Sequence, residues 1–352
     1  MQIYFLDEDF KIVFLTDKVT RLEVKRKFFS PGRVTVRLPS GVTPTGDARY
    51  VFVSISEGVC ALMERKRHLE DGSLEISGRT LEALLERRII KGECIYDDRA
   101  DTCVLDAVRR NALNDRGLHR LEVVFSDDFE ENIVSDASWQ SLGDWVHSVL
   151  RPFGGSFKVT LGDAGVNDPV IRFSMVRGAD RTMHEGVKNP LILSERLGNV
   201  ENVVVDRDEE DFANVVYVQG SDGTLVEYPE DIDELERREI YVSAKDIRPE
   251  RCVSEADYRE KLTDRGIERL ALREMSVEIS ADLVGGPYYA GMVCRLGDLC
   301  EVELMDGTCY KARLTEMDEI VEDGKALTKL RFGNDPVRKT DILISEAQGM
   351  LS

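Results

Sequence analysis

LGDLCEVELMDGTCYKARLTEMDEIVEDGKALTKLRFG, residues 296–333, is the stretch that decides the fold. It predicts three strands separated by two turns, because β-rich runs flank the pairs Asp306-Gly307 and Asp323-Gly324. An Asp-Gly pair favours a tight hairpin, since it tolerates the positive φ angles that such a turn requires. The stretch holds no cluster of nucleophiles or metal ligands. We therefore expect a meander that builds a barrel wall or a subunit contact, with Asp306, Gly307, Asp323 and Gly324 as structural turn residues.

The length and charge of the chain exclude several classes of protein. Its 352 residues are enough for two or three modules with their own cores. There is no run of about 18 apolar residues, and acids interrupt the apolar residues at the N-terminus, so we expect no membrane span, no signal peptide, and folding in a cytoplasm. A net charge of −20 argues against specific nucleic-acid binding, because it would repel a phosphate backbone. The same repulsion suits a pore through which DNA passes without adhering.

Hydrophobic patterning divides the chain into three modules. Residues 1–77 alternate apolar and polar residues in short runs and predict a β-barrel module. Residues 78–190 predict a mixed α+β module, and residues 191–333 a second β-barrel module that includes a helix over 254–274, opened by a capping box of Ser254 and Asp257. Residues 334–352 form a C-terminal tail. The fold class predicted is α+β and β-rich, with two small β-barrel-like modules and a mixed α/β module between them.

A basic patch stands out in the first module of this acidic chain. Its members follow one another over thirteen positions: Lys25, Arg26, Lys27, Arg33 and Arg37. Two readings fit it. It is either a docking face for an acidic partner ring, through complementary charge, or a solvated strand face.

No catalytic signature accompanies these elements. Seven scattered cysteines and four separated histidines include no metal-binding pair, and neither a nucleophile elbow nor a phosphate-binding loop is present. We expect no metal, no cofactor and no catalytic residue. Cys103 and His147 could form a thiol–imidazole pair, although nothing near them in the sequence supports it. A carboxylate dyad of the glycosidase type would be invisible among 67 acids.

Two tryptophans allow a second reading of the mixed module. A helix over 138–150 would place Trp139 and Trp145 along one side. They either pack in the core or stack on a ligand such as a sugar.

Three motifs together resemble a known family. Gly297-Asp298 opening a strand before a hairpin that closes on Phe332-Gly333, the segment ISGRTLEALLERRII at 76–90, and NVVYVQG at 214–220 are similar to landmarks of the siphovirus tail-hub family, relatives of the contractile-tail baseplate hub. The resemblance implies a homotrimer at the tip of the tail tube, in which two barrels per chain mimic a six-fold ring. It also implies contacts with the distal tail protein, the tape-measure protein and the tip or spike, a lumen through which DNA leaves, and a place in the virion.

Two other functions compete with this implication. One is a tail-associated peptidoglycan hydrolase, and the other is a receptor-binding module at the tail tip. A hydrolase would clear a suspension of cell walls, whereas a receptor-binding module would be retained on host cells and would lose retention when Trp139 and Trp145 are replaced.

Overall fold

The computed structural model describes residues 2–55, 58–114, 116–124, 126–162, 169–184, 186–187, 189–210, 212–229, 236–245, 247–271, 273, 276–285 and 294–333. They fall into two compact units. The first comprises the described residues of Met1–Val204 and Ile279–Val337, and the second those of Val205–Glu278. The chain is β-rich with few helices, as predicted.

Strands are the commonest secondary structure of the described chain. In chain order they are β1 (Ile3–Leu6), β2 (Ile12–Thr16), β3 (Arg21–Lys27), β4 (Arg33–Leu38), β5 (Tyr50–Val53), β6 (Val59–Leu62), β7 (Arg65–His68), β8 (Leu74–Arg79), β9 (Ile95–Arg99), β10 (Leu121–Val123), β11 (Asn132–Asp136), β12 (Gly155–Gly162), β13 (Val170–Arg177), β14 (Ile192–Ser194), β15 (Val200–Asp208), β16 (Val215–Gly220), β17 (Leu225–Tyr228), β18 (Glu239–Ala244), β19 (Ser276–Leu283), β20 (Leu299–Glu303), β21 (Cys309–Glu322) and β22 (Lys325–Gly333).

Helices are few and mostly short. The α-helices are α1 (Ala83–Glu86), α2 (Ala100–Val108), α3 (Leu142–Leu150) and α4 (Glu255–Ala271). A π-helical turn (Arg109–Leu113) extends α2, and 3₁₀ turns lie at Arg151–Phe153 and Pro249–Arg251.

The predicted meander is present and belongs to a larger sheet. β20 pairs with β21, and β21 pairs with β22, all antiparallel. β21 also pairs with β3 near the N-terminus, giving the strand order β15-β19-β22-β21-β3-β4-β8-β7. The N-terminal and C-terminal strands, which the sequence placed in separate modules, therefore share one sheet. The described strands close no barrel, so the two barrel-like modules are not confirmed.

Alternation along β3 and β4 explains the first core. Leu22, Val24, Val34 and Val36 are fully buried while their neighbours along each strand are less so. One face of the large sheet thus turns inward, as expected for period-two patterning. Its buried residues pack with those of the four-stranded sheet β2-β1-β5-β6 in a single apolar cluster.

The mixed part of the first unit has a second apolar core. The helices α2 and α3 pack together, and α3 packs on β12 of the three-stranded sheet β10-β13-β12. α3 begins after Ser141, whose hydroxyl accepts a hydrogen bond from the backbone N–H of Asp144 at 3.3 Å, and not at residue 138 as predicted. The buried residues of α3 include Trp145, Val146 and Leu150.

The second unit is a three-stranded sheet with a helix on one face. The strand order is β17-β16-β18, with β16 and β18 parallel. Tyr258 and Leu262 of α4 pack against Val216 and Val218 of β16. The helix predicted over 254–274 is α4. The backbone N–H of Asp257 donates to the Ser254 hydroxyl at 3.1 Å, and the Asp257 carboxylate accepts the N–H of Val253 at 2.8 Å.

The compact units divide the chain differently from the predicted modules. The predicted module boundaries at residues 77, 190 and 333 stay a prediction. The predicted tail, residues 334–352, lies outside the described residues. Within the described chain, no helix is both long and apolar enough to cross a membrane.

Candidate assembly surfaces

The basic patch lies in the large sheet, beside the pairing of β3 with β21. Lys25, Arg26 and Lys27 are on β3, which pairs with β21, and Arg33 and Arg37 are on β4. The acidic run of β21 faces this patch. Most of the positive charges of the patch are therefore paired with carboxylates of the same chain.

Two of the ion pairs across β3 and β21 lie on the partly exposed face of the sheet. Lys27 Nζ is 2.7 Å from Glu316 Oε1, and Lys25 Nζ is 3.7 Å from Asp318 Oδ2. Each pair consists of residues directly opposite in the register, where unlike charges stabilise a strand pair by about 0.2–1 kcal/mol. The pairs thus help to select this register.

A third ion pair faces the interior. The guanidinium of Arg26 donates to the carboxylate of Glu319, whose side chain is 0% exposed. The Arg26 side chain is 15% exposed, and it also contacts the sulfur of Met317 at 3.5 Å. A carboxylate withdrawn from water in this way needs its cation, because an unpaired buried charge is strongly unfavourable.

The remaining members of the patch lie on β4. Arg37 pairs with Asp71 at 2.6 Å, and the Ser73 hydroxyl and this pair together hold the pKa of the Asp71 carboxyl below its usual value. Arg33 is exposed. The docking role of the patch remains a prediction, since four of its five members have partners inside the chain.

The turn at Asp306-Gly307 connects β20 to β21. The N–H of Leu304 donates to the Thr308 carbonyl at 2.8 Å, and the N–H of Gly307 donates to the Leu304 carbonyl at 3.0 Å. Gly307 has a φ of 85°, which an L side chain rarely adopts. The Asp306 carboxylate accepts the Thr308 N–H at 2.9 Å, and this hydrogen bond lowers its pKa.

The turn at Asp323-Gly324 connects β21 to β22. Glu322 and Lys325 are opposite each other in the register, so the loop has two residues. Asp323 has a φ of 50° and Gly324 a φ of 75°. Two positive φ values in a two-residue loop define the type I′ turn that suits the twist of a hairpin.

Gly297-Asp298, a motif of the resemblance, fastens the meander to the mixed part of the unit. A Cβ on Gly297 would lie 2.4 Å from the ring of Phe28. The buried Asp298 carboxylate accepts the Ala179 N–H at 3.3 Å and pairs with Arg181 at 3.3 Å. The motif is therefore a structural junction.

Cys103 and His147, the thiol–imidazole candidates, are both buried. The Ser156 hydroxyl donates to the Phe28 carbonyl, so His147 Nδ1 must donate to Ser156 Oγ, 3.2 Å away. Burial lowers the pKa of His147 to about 4 and raises the pKa of Cys103 to about 11. A neutral imidazole and a protonated thiol in the core carry no chemistry toward a substrate.

The two tryptophans occupy different environments. Trp145 is 1% exposed, and its indole N–H donates to the Ser135 hydroxyl at 3.0 Å. Trp139 precedes α3, has a φ of 57°, and is 63% exposed. Their predicted alignment on one helix is wrong, and a joint sugar-stacking platform is not formed.

A cleft of about 460 Å³ opens beside Arg26 and Met317. Glu82 lines it, and its carboxylate accepts the Val159 N–H at 3.2 Å while burial raises its pKa. Cys60 also lines the cleft, where burial raises the pKa of its thiol. One carboxyl and an inert thiol do not make a catalytic pair, and the described residues hold no cluster suited to a metal ion.

In the second unit, a polar network covers one strand pair. Arg237 donates to Glu227 Oε1 at 2.5 Å, to Glu239 Oε1 at 2.8 Å and to the Tyr217 hydroxyl at 3.0 Å. Hydrogen bonds to Glu227 and then Glu239 raise the pKa of Arg237. The charge of Arg237 is therefore compensated by carboxylates of the same unit.

One charged surface was missed by sequence reasoning. β7 consists of Arg65, Lys66, Arg67 and His68, all exposed, and it pairs only with β8 among the described strands. The run RKRH in an acidic chain was a signal that could have been read.

The whole chain has the fold of phage tail proteins of known structure. The prophage MuSo2 43 kDa tail protein from Shewanella oneidensis is 10% identical, with a TM-score of 0.57 over 96% of this chain and 98% of that chain. The prophage tail protein gp18 from Listeria monocytogenes EGD-e is 11% identical, with a TM-score of 0.54 over 100% of both chains. The tail protein from Neisseria meningitidis MC58 is 14% identical, with a TM-score of 0.53 over 94% of this chain and 96% of that chain.

At these identities the likeness establishes the fold alone, a fold that phage tail proteins also adopt. The particular family follows from the sequence. The model of the Siphovirus ReqiPepy6 Gp37-like protein family matches residues 1–334, and the chain belongs to this family. No curated protein gives a significant match. The resemblance to siphovirus tail proteins is confirmed, and the chain is a component of a virion that interacts with other tail proteins.

Proposed function

We propose that the chain is the hub subunit at the tip of the tail tube. Three copies form a ring that joins the distal tail protein to the tip or spike, encloses the end of the tape-measure protein, and lets DNA pass. The observation that carries the proposal is the fold, which is shared with tail proteins over 94% or more of this chain. Family membership over residues 1–334 supports it.

The charge of the chain supports passage of DNA through the ring. A net charge of −20 repels the phosphate backbone wherever acids face it. DNA would then slide through the lumen without sequence-specific contacts.

The continuous sheet suits a ring that bears load. In the first unit, β3 and β21 join the N-terminal and C-terminal strands. Four ion pairs cross this seam, including that of Arg21 with Glu322 at 3.1 Å. Strand pairing and ion pairs of this kind resist separation of β3 from β21 when neighbouring rings pull on the subunit.

The geometry of the described residues does not support a hydrolase. Cys103 and His147 are buried, and the cleft lacks an activated nucleophile. We propose that the chain is not an enzyme. Incubation of host cell walls with the purified protein should leave their turbidity unchanged, and clearing would establish the hydrolase alternative.

A receptor-binding module would need an exposed binding surface. Trp139 is the exposed tryptophan of the pair, whereas Trp145 is buried. Retention of the protein on host cells, lost on Trp139→Ala, would favour this alternative over the hub.

Light scattering over a concentration series tests the hub directly. The ring predicts a mass three times that of the 39.8 kDa chain. If the chain has the mass of one copy, both alone and mixed with the distal tail protein, the trimeric hub is wrong.

A further inference from the structure

The basic strand β7 is open on one side. It lies at the end of the large sheet, and its register with β8 runs from Arg65 opposite Ser77 to His68 opposite Leu74. The other side of the strand leaves main-chain N–H and C=O groups without a strand partner among the described residues. Such an edge is a template for pairing with a further strand.

The charges of β7 are also unpaired. Arg65, Lys66 and Arg67 have no ion-pair or hydrogen-bond partner for their side chains within the described part of the chain. Elsewhere in the first unit, the half-buried Arg79 and the exposed Arg177 do have carboxylate partners. Three adjacent free cations on one edge point to an acidic partner outside this copy.

A second open strand of opposite charge exists in the same unit. β9 pairs only with β11 among the described strands, in a two-stranded sheet separate from that of β7. Asp97 and Asp98 on β9 are exposed, as is Glu93 just before it. Ile95, at the start of β9, is 73% exposed and offers an apolar contact beside the acids.

We propose that β7 of one copy pairs with β9 of the next copy, so that the occupant of the basic edge is a second molecule of this chain. Opposite charges directly across a strand pair are stabilising, whereas β7 facing another β7 would set like charges against each other. The pairing surfaces are two different patches on one molecule, which makes the contact head-to-tail. A contact of that kind generates a ring when its rotation closes.

The open main-chain groups of β7 favour a second copy of this chain over nucleic acid as the partner. Phosphates would satisfy the cations of β7 but not its open row of N–H and C=O groups, whereas the open edge of β9 satisfies both. The proposal rests on the proposed hub function and specifies the surface through which its copies meet.

Charge reversal on each strand tests the pairing. One variant carries Arg65→Glu, Lys66→Glu and Arg67→Glu, a second carries Asp97→Lys and Asp98→Lys, and a third combines all five changes. Each of the first two should weaken self-association by about tenfold or more, measured by light scattering at several salt concentrations. The combined variant should recover association, because the charges are again complementary.

A matched control reverses three exposed cations elsewhere in the first unit. A variant with Lys18→Glu, Arg49→Glu and Arg109→Glu changes the net charge by the same amount as the β7 variant, and it should leave self-association unchanged. Circular dichroism of every variant establishes that it is folded.

Cross-linking of the natural protein locates the contact, and one substitution serves as its control. A carbodiimide joins an ammonium to a carboxylate only when they touch, so it should link Lys66 to Asp97 or Asp98. In a mixture of unlabelled and ¹⁵N-labelled protein, the linked peptides should pair light with heavy chains, which identifies a link between copies. Lys66→Arg should abolish this link.

The outcomes separate this contact from the hub itself. A trimer that is insensitive to both reversals and lacks the cross-link overturns the contact and retains the hub. An oligomer of another size that shows reversal, rescue and cross-link retains the contact and overturns the trimer. A protein that has the mass of a single copy at every concentration overturns the contact. The contact is also overturned if charge reversal on β7 abolishes binding of a short DNA duplex but leaves the mass of the protein in solution unchanged, because β7 would then bind nucleic acid and not a second copy.

Discussion

Breaking the buried ion pair between β3 and β21 should destabilise the first unit strongly. Glu319→Gln keeps the shape of the side chain but removes the charge that faces Arg26. Glu319 is fully buried and the Arg26 side chain is 15% exposed, so the guanidinium would be left almost without compensation. Removing one partner of such a pair costs about 3–5 kcal/mol, and the residual exposure of Arg26 places our expectation near ~3 kcal/mol.

Replacing both partners should cost much less. Arg26→Met with Glu319→Leu fills the space with apolar side chains beside Val24 and Met317 and removes both charges of the pair. A buried pair exchanged for apolar residues of similar volume is often neutral, so we expect the double variant to lie within ~1 kcal/mol of the natural protein. The comparison isolates the charge from the packing.

Urea unfolding at a fixed protein concentration measures these effects, because association would otherwise shift the apparent stability. The matched control is Glu316→Gln, because the partners of Glu316 are largely solvated: Lys27 is 35% exposed and Arg331 is 56% exposed. This variant should cost no more than ~1 kcal/mol. If Glu319→Gln costs no more than this control, the buried pair does not hold the two ends of the chain together.

Three further predictions concern the core and a turn. Burial lowers the pKa of His147 from 6.5 to about 4, so between these pH values the unfolded chain binds a proton that the folded chain lacks. Acidification through this window should therefore lower the free energy of unfolding by about 3 kcal/mol. Urea unfolding of His147→Gln should lack that part of the pH dependence. If the free energy of unfolding of His147→Gln varies with pH as that of the natural protein does, the prediction is wrong. Gly307→Val forces a β-branched residue into a φ of 85° and should lower the free energy of unfolding by about 1–3 kcal/mol, measured by thermal unfolding. The control Gly46→Val lies at an open position with an ordinary φ and should cost little. Equal losses of stability in the two variants would contradict backbone strain at Gly307. Trp145→Ala should cost about 3–5 kcal/mol and Trp139→Ala less than ~1 kcal/mol in urea unfolding, and the reverse order would be incompatible with their burial.

Local patterns carried much of the fold. The meander of β20, β21 and β22 follows from strand runs around Asp-Gly pairs, because hairpin pairing is decided by residues close in sequence. The capping box of Ser254 and Asp257 likewise places the start of α4. Both features depend on a few adjacent residues.

Pairing between distant strands was not predicted. Arg26 and Glu319 are 293 positions apart, and hydrophobic alternation alone cannot choose which strand lies beside β3. The signal lay in the charges, since the lysines of β3 match Glu316 and Asp318 across the register. Three residues of the basic patch, Lys25, Arg26 and Lys27, pair with acids of β21, and the docking role of the patch stays a prediction.

The sites depended even more on burial. A sequence does not show that Cys103 and His147 lie in the core, nor that α3 begins after Ser141 and leaves Trp139 outside the helix. The free charges of β7 became meaningful only once the sheet order placed them at an open edge.

A cryo-electron microscopy reconstruction of the tail end of the virion tests the central claim most directly. The account predicts three copies of this chain in one ring around the tube axis, between the distal tail protein and the tip, with a lumen wide enough for DNA. Placement of the chain along the tube, at its side, or in any number of copies other than three would contradict it.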